Sequence, residues 1–236
     1  MSNVIECEAL TKCYTKGICA LKNLTFSVPD KGGVIALLGP NGSGKTTLIK
    51  LLTGLLSPTA GNVKIGGYPV GVETKSFVSY LSDAHSLNNK YTAIEQIEYF
   101  EDFFPDFDKA KALTMLRELG VDEKKKIKTL SKGTKEKLSL ILTLSRNARL
   151  FILDEPIAGV DPAARDYILQ TILAHKSSNS TMLISTHLIS EIERYFDYVL
   201  FLKEGSIVLQ GEAETIRQRE GKSVDELFRE VFRWTF

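Results

Sequence analysis

The sequence predicts an α/β fold, a strand-rich core interrupted by a helical block, and three observations carry that prediction. Short apolar runs bounded by turn residues gather at the two ends of the 236-residue chain, as buried strands do. The stretch between Ser82 and Arg149 shows helical spacing instead. A glycine-rich loop, GPNGSGKT (39–46), stands between an apolar strand and a helix start.

Each element has its own signal. VIECEAL, LTFSV and VIALLG supply the first strands, followed by NVKIGG and VSYLS. Thr92-Ala-Ile-Glu95 is a capping box, in which hydroxyl and carboxylate each satisfy a backbone N–H at a helix start. It opens a helix bearing Ile94, Ile97 and Phe104. Phe107, Ala110, Leu113, Leu116 and Leu119 recur at helical spacing and stop at Gly120, a residue suited to the left-handed turn that ends helices. A third helix follows Ser131. RLFILDEP, TMLIST, DYVLFL and SIVLQG then return the chain to strands. Asp161-Pro162 gives an N-cap with proline at the first helical position, and Ser223 to Glu226 repeats the capping box. The helical block runs to about 65 residues, more than a βαβ crossover requires, so it reads as an insertion.

Composition narrows the class. Hydrophobic content of 43% with 25% charged residues suits a globular chain with a sizeable core. A formal net charge of +1 gives no long-range attraction to nucleic acid or acidic membranes. No apolar run approaches the roughly 18 residues of a membrane span, and MSNVIECEALTKCY lacks the apolar segment of an export signal. Cys7, Cys13 and Cys19 recur every six residues, a spacing that fits no common zinc pattern. Three reduced thiols in a cytosolic protein are therefore expected.

GPNGSGKT fits the P-loop pattern of a glycine, four residues, then Gly-Lys-Ser/Thr. Gly39, Gly42 and Gly44, with Pro40, Asn41 and Ser43 between them, let the backbone wrap a phosphate and aim N–H groups inward. Lys45 reaches the β- and γ-phosphates in such loops, and the Thr46 hydroxyl binds Mg²⁺. The chain is expected to bind a nucleoside triphosphate.

LFILDEP ends a buried strand with Asp154 and Glu155, which costs desolvation unless the charges meet a metal or a donor. Asp154 is expected to orient Mg²⁺ through its water ligands. Glu155 is placed to act as general base on a water attacking the γ-phosphate. His187, after the strand MLIST, falls at the edge where the phosphate loop should lie. It reads either as a hydrogen-bond donor sensing the γ-phosphate or as a satisfied structural histidine. LSKGTKEKL (130–138) opens a helix with Ser131 and Gly133, which makes a second place to hold a phosphate.

These pieces, in this order, resemble the ATP-binding cassette (ABC) ATPase family, specifically the nucleotide-binding subunit of an ABC transporter. The resemblance rests on GPNGSGKTT, LSKGTKEKL, LFILDEP, AGVD and STH, and runs from about Val4 to Arg217. It implies a P-loop NTPase fold, with a RecA-like core, an antiparallel β subdomain and an inserted α-helical subdomain. The single domain, 1–236, would divide into a catalytic core of about 1–82 and 149–215, a helical signature subdomain of about 83–148 and a helical tail of about 216–236.

The resemblance also assigns the second phosphate site. Two cassettes of this family pack head to tail, and Ser131 and Gly133 match the positions that contact the γ-phosphate held by the partner's P-loop. Tyr14, 25 positions before Gly39, matches the aromatic that stacks on adenine; the bland reading is a strand-end tyrosine packed on the core. Thr47 matches a contact to the α-phosphate, and Asp161 the aspartate that communicates between the two sites. Implied cofactors are ATP and Mg²⁺. Implied partners are a second cassette, identical or different, and transmembrane permease subunits, with no nucleic acid. The chain would then be cytoplasmic, on the inner face of the membrane and attached only through the permease.

Three departures from the family pattern stand out. Leu130-Ser131-Lys132-Gly133-Thr134 replaces the usual LSGGQ, keeping the serine and the second glycine. Asp83 stands where a glutamine ordinarily ligates Mg²⁺; a carboxylate serves that hard cation as well but has lost the amide donors. Ile157, Ala158 and Val160 replace a more usual Thr, Ser and Leu. The SKG form of the signature looks like single-cassette ATPases of drug, peptide or lipid export. The rival functions are a non-transport ABC ATPase of ribosomes or DNA and a slow regulatory ATPase.

Weaker signals complete the reading. Tyr99, Phe100, Phe103 and Phe104 in EYFEDFFP are expected mostly in the core, while the resemblance leaves some of them to hold a permease's coupling helix; DEKKKIK (122–128) reads as a solvated loop rather than a nucleic-acid patch. Leu227, Phe228, Val231 and Phe232 share one face of a tail helix that packs on its own core or on a partner.

Overall fold

Two sheets share one hydrophobic layer, and the larger of them is covered by helices on its other face. The computed structural model describes residues 2–14, 17–81, 87–157, 160–176 and 179–233. Strands β1 (Asn3–Cys13), β2 (Cys19–Pro29), β4 (Ala60–Ile65) and β5 (Tyr68–Pro69) form an antiparallel sheet in the order β2-β1-β4-β5. The second sheet has six strands. These are β3 (Gly33–Leu38), β6 (Val78–Leu81), β7 (Leu150–Asp154), β8 (Thr181–Ser185), β9 (Tyr198–Lys203) and β10 (Ser206–Glu212), ordered β10-β9-β3-β8-β7-β6. All its neighbours pair in parallel except the β9–β10 hairpin.

Both faces of the sheet are buried along its central strands β3, β7, β8 and β9, which explains their uninterrupted apolar runs. Along β3, Ile35 and Leu37 face the antiparallel sheet and helix α1 (Lys45–Leu52), whereas Val34, Ala36 and Leu38 face the helical side. β7 divides in the same way, with Ile152 on one side and Phe151 and Leu153 on the other. β3, β8 and β7 are adjacent and parallel, so their C-terminal ends lie together. Asp154 on β7 and Leu37 on β3 both pair with Ser185 at the end of β8. In an open parallel sheet, that is the edge where ligands bind.

Between β6 and β7 the chain builds α3 (Ala93–Phe103), α4 (Lys109–Glu118) and α5 (Lys132–Leu144). The Thr92–Glu95 capping box forms, with Thr92 N–H donating to Glu95 Oε2 at 2.6 Å and Glu95 N–H to Thr92 Oγ1 at 3.3 Å. α4 starts later than the apolar spacing predicts. Asp108 accepts from Lys111 N–H at 2.9 Å as its N-cap, leaving Phe107 outside the helix in a bridge to Arg146. Helix α6 (Pro162–Ala174) begins at Asp161 as expected, after the short α2 (Val72–Lys75); α7 (Ile189–Ile192), α8 (Ala213–Glu220) and α9 (Val224–Val231) complete the chain. The tail packs on its own core: Phe232 is fully buried, and Phe228 and Phe232 meet Phe201 edge-on and tilted, with centroids 5.8 and 5.9 Å away.

Two expectations change. Cys13 and Cys19 are joined in a disulfide, not separate thiols. The antiparallel register sets them opposite each other, a proximity that a spacing of six does not reveal. In EYFEDFFP, Phe100 and Phe104 are half-buried, whereas Tyr99 and Phe103 are exposed and stacked on each other, with centroids 6.2 Å apart. The lysines of DEKKKIK are solvated and Ile127 is buried beneath them.

Candidate functional site

The glycine loop is built by close approach. A Cβ on Gly39 would lie 2.3 Å from the Leu202 carbonyl, so no larger residue fits where the loop leaves β3. Gly44 caps α1 at φ 111°, a left-handed conformation that glycine adopts without strain, and its bare face rests on the Ala20 carbonyl. These constraints turn the loop so that the N-terminus of α1 points at the strand edge. Ser43 Oγ is buried in the loop with no hydrogen-bond partner, an orphan polar atom that suits a site built to hold an anion.

A cleft of about 380 Å³ opens there. Asn41, Gly42, Gly44, Lys45, Thr46 and Thr47 line one side, Asp154 and Glu155 another, and Ala20 the rim. Lys45 Nζ donates to the carbonyls of Gly39 at 2.6 Å and Pro40 at 3.1 Å, so its ammonium is held back against its own loop. Burial pushes its pKa down, against the pull of Glu155 and Asp154. Among the described residues no three or more His, Cys, Asp or Glu side chains cluster as metal ligands. One hydroxyl and one carboxylate facing a phosphate loop is nonetheless the donor set that Mg²⁺ uses, because this ion takes its remaining oxygens from phosphates and water.

Asp154 is buried at the end of β7, where Ser185 Oγ donates a short hydrogen bond to Oδ1. Glu155 N–H donates to the same Ser185 Oγ and to the Ser185 carbonyl, each at 3.1 Å. Glu155 has φ 49°, a left-handed conformation uncommon outside glycine and concentrated at functional sites. That turn takes its carboxylate out of the strand path and into the cleft, where Oε2 lies 2.9 Å from His187 Nδ1. Burial raises the Glu155 pKa, and the neighbouring His187 and Lys45 oppose the rise. A neutral His187 that donates from Nδ1 to Glu155 has only an acceptor left at Nε2. Protonation would make Nε2 a donor as well.

Tyr14 stands at the rim with its ring 47% exposed and its hydroxyl 3.2 Å from Thr47 Oγ1, so it is not packed into the core. Lys12 Nζ lies 5.7 Å from the ring centroid. Ser131 caps α5, accepting from Thr134 N–H at 3.2 Å, and its hydroxyl lies 2.8 Å from that of Thr134. Gly133 has open space where a Cβ would be. Neither Ser131 nor Gly133 lines the cleft. Asp161 caps α6 by accepting from Ala163 N–H at 2.9 Å. Asp83 lies outside the described residues, as does Ala158.

Ser185 and Ala20 belong to this site and were not singled out in the sequence. Ser185 carries a signal in hindsight, because two neighbouring buried strands, LFILD and TMLIS, both end on a polar residue. Ala20 carries none; its backbone and position matter, not its side chain.

A phosphate loop between β3 and α1, two acids at the end of β7, one strand removed from β3 in the parallel sheet, and a helical block between β6 and β7 define a P-loop nucleoside triphosphatase. The chain belongs to the ABC transporter family, whose model matches residues 21–158. It is 30% identical over 227 residues to the lantibiotic transport ATP-binding protein SrtF of Streptococcus pyogenes, covering 95% of this chain and 96% of that one. It is also 30% identical over 226 residues to the linearmycin resistance ATP-binding protein LnrL of Bacillus subtilis, covering 92% of this chain and 72% of that one. A solved ATP-binding subunit of an ABC transporter superposes with a TM-score of 0.85 at 31% identity, over 96% of this chain and 98% of the other. The chain is thus the ATP-binding, ATP-hydrolysing subunit of an ABC transporter, and no helix among its described residues is long and apolar enough to cross a membrane.

Proposed function

We propose that this subunit works as half of a two-cassette Mg·ATP motor, attached to the cytoplasmic face of a membrane through separate permease subunits and driving export. One observation carries the reading: Lys45 and Thr46 share a single cleft with Asp154 and Glu155. The catalytic core would comprise about 1–82 and 149–215, with a helical signature subdomain at about 83–148 and a tail at about 216–236.

The backbone N–H groups of Gly42, Gly44 and Lys45 hold the phosphates, and the Lys45 ammonium leaves the Gly39 and Pro40 carbonyls for the β- and γ-phosphates. Thr46, Asp154 and Asp83 would hold Mg²⁺, which would neutralise charge on the phosphate oxygens. Glu155 takes a proton from water as the water oxygen bonds to the γ-phosphorus. The bond to the β–γ bridging oxygen breaks, and ADP leaves. Its raised pKa makes Glu155 a better base than an exposed glutamate. His187 fixes the carboxylate and reports on the γ-phosphate, Tyr14 stacks on adenine, and Thr47 contacts the α-phosphate.

Ser131 and Gly133 face a partner's nucleotide, which accords with their place outside this chain's own cleft. Asp161 links the paired sites. SrtF and LnrL are named for lantibiotic transport and linearmycin resistance, which favours export of a lantibiotic- or linearmycin-like compound. Phosphate release by the purified chain with Mg·ATP tests the chemistry. Glu155→Gln is expected to lower the rate about 100- to 10,000-fold while ATP still binds, and Lys45→Ala to abolish binding. A Glu155→Gln rate within threefold of wild type would overturn the assignment of the base.

A further inference from the structure

The β1–β2 hairpin reaches the cleft from the side, and two cysteines straddle its tip. Cys13 closes β1 and Cys19 opens β2; they stand opposite each other in the antiparallel register and are bridged. Tyr14 follows Cys13 directly. Its N–H donates to the Ile18 carbonyl at 2.9 Å and its hydroxyl meets Thr47 Oγ1 at 3.2 Å. Ala20 follows Cys19, lines the cleft, and places its carbonyl where a Cβ on Gly44 would come within 2.6 Å. Cys19 is therefore one residue from the cleft wall, and Cys13 one residue from the tyrosine whose hydroxyl meets the cleft residue Thr47.

We propose that Cys13 and Cys19 form a reversible thiol–disulfide site that sets nucleotide affinity through Tyr14, the bridged hairpin binding ATP more tightly than the reduced one. The inference rests on the reading of Tyr14 as the adenine platform. Its physical basis is preorganisation. The bridge fixes Cys13, directly before Tyr14, against β2, so less ordering is left for the nucleotide to impose on binding. A bridge with a sequence separation of only six takes little freedom from the unfolded chain, so its effect is local rather than a matter of overall stability.

The oxidant is a low-molecular-weight disulfide. The thiolate of one cysteine attacks it, forming a mixed disulfide and releasing one small thiol. The thiolate of the other then attacks the protein sulfur of that mixed disulfide, closes the Cys13–Cys19 bond and releases the second small thiol. Two protein thiols are oxidised and one small disulfide is reduced; each departing thiolate takes up the proton lost by a cysteine. Both cysteines are half-buried at a hairpin tip, within reach of such a reagent. Cys7, by contrast, is buried, with its thiol pushed up to about 12, and stays out of the exchange.

The test compares protein equilibrated with glutathione disulfide or with dithiothreitol, using intact mass to confirm loss or gain of two hydrogens. Affinity is read with a fluorescent N-methylanthraniloyl ATP. Oxidised wild type is expected to bind about three- to tenfold tighter than reduced. The double variant Cys13→Ser, Cys19→Ser should match the reduced form under both conditions. Equal affinities in the two verified redox states, or a redox response that persists in the double variant, would overturn the proposal. Tyr14→Ala separates the two ideas. If it binds as tightly as wild type, the platform reading fails and takes the switch with it; if it binds weakly while wild type binds equally in both redox states, the switch alone fails.

Discussion

His187 Nδ1 lies 2.9 Å from Glu155 Oε2, across the ends of two neighbouring parallel strands. The pair joins a half-buried carboxyl to an imidazole that is 62% exposed, so the contact can be made and released without unpacking the core. It also sets the pH response. Burial raises the Glu155 pKa, and His187 is the first of the groups that oppose this.

The acid limb of kcat/KM, which reports the nucleotide-free enzyme, should therefore lie above the ordinary carboxylate value of 4.5. Removing His187 removes a neighbour that favours ionised Glu155. The limb in His187→Ala should move to higher pH, because more base is then needed to ionise the same carboxyl. The stability sign follows from linkage. A carboxyl whose folded pKa is raised favours the folded state below its unfolded pKa, and that contribution is lost as pH rises through the folded pKa. A pH profile of phosphate release for both proteins checks this, and a limb that stays in place would contradict it.

Ser185 serves both acids, donating to Asp154 Oδ1 and accepting from Glu155 N–H. It touches neither nucleotide nor water in the proposed reaction; it positions the two residues that do. Ser185→Ala should lower kcat about 10- to 100-fold and weaken apparent Mg²⁺ affinity, as loss of a group supporting a metal ligand does. Leaving a buried acceptor unsatisfied should also cost about 1–3 kcal/mol of stability. Phosphate release titrated with Mg²⁺, alongside urea unfolding, separates the two effects.

The helical block is tied to the core by one buried cation. Arg146 makes a two-pronged contact to Asp106, with Nε at 2.9 Å from Oδ1, and donates to the carbonyls of Lys75, Ser76 and Val78 at 3.0–3.3 Å. Its guanidinium carbon also lies 4.2 Å from the Phe104 ring centroid. Asp106→Ala leaves this buried charge without its counter-ion and should cost about 3 kcal/mol. The midpoint of urea unfolding should fall accordingly; a shift below the error of the measurement would contradict the assignment.

Elements whose causes are local could be read from the sequence. The capping boxes at Thr92 and Ser223, the Asp161-Pro162 start and the apolar strands all arise from contacts within a few residues, and they form. The glycine loop belongs to this group, since strand, turn and helix lie in one continuous segment. The rest depends on how separate elements pair, not on contacts within one segment. Cys13 meets Cys19 through sheet register, Ser185 meets Asp154 through strand order, and Phe107 leaves its helix for a bridge to Arg146. The short β5 and α2 fall below the length at which periodicity has a signal. Tyr99 and Phe103 stay exposed on a helix whose other face, with Ile97, supplies its burial.

In the proposed motor, Ser131 and Gly133 complete the nucleotide site of a second cassette. The solution mass of Glu155→Gln, with and without Mg·ATP, tests it most directly, because loss of the base should trap the nucleotide. The protein should be a monomer without nucleotide and an ATP-dependent dimer with it, which Ser131→Arg abolishes while leaving ATP binding intact. A Glu155→Gln protein that binds Mg·ATP yet stays monomeric, or a dimer indifferent to Ser131→Arg, would contradict that claim.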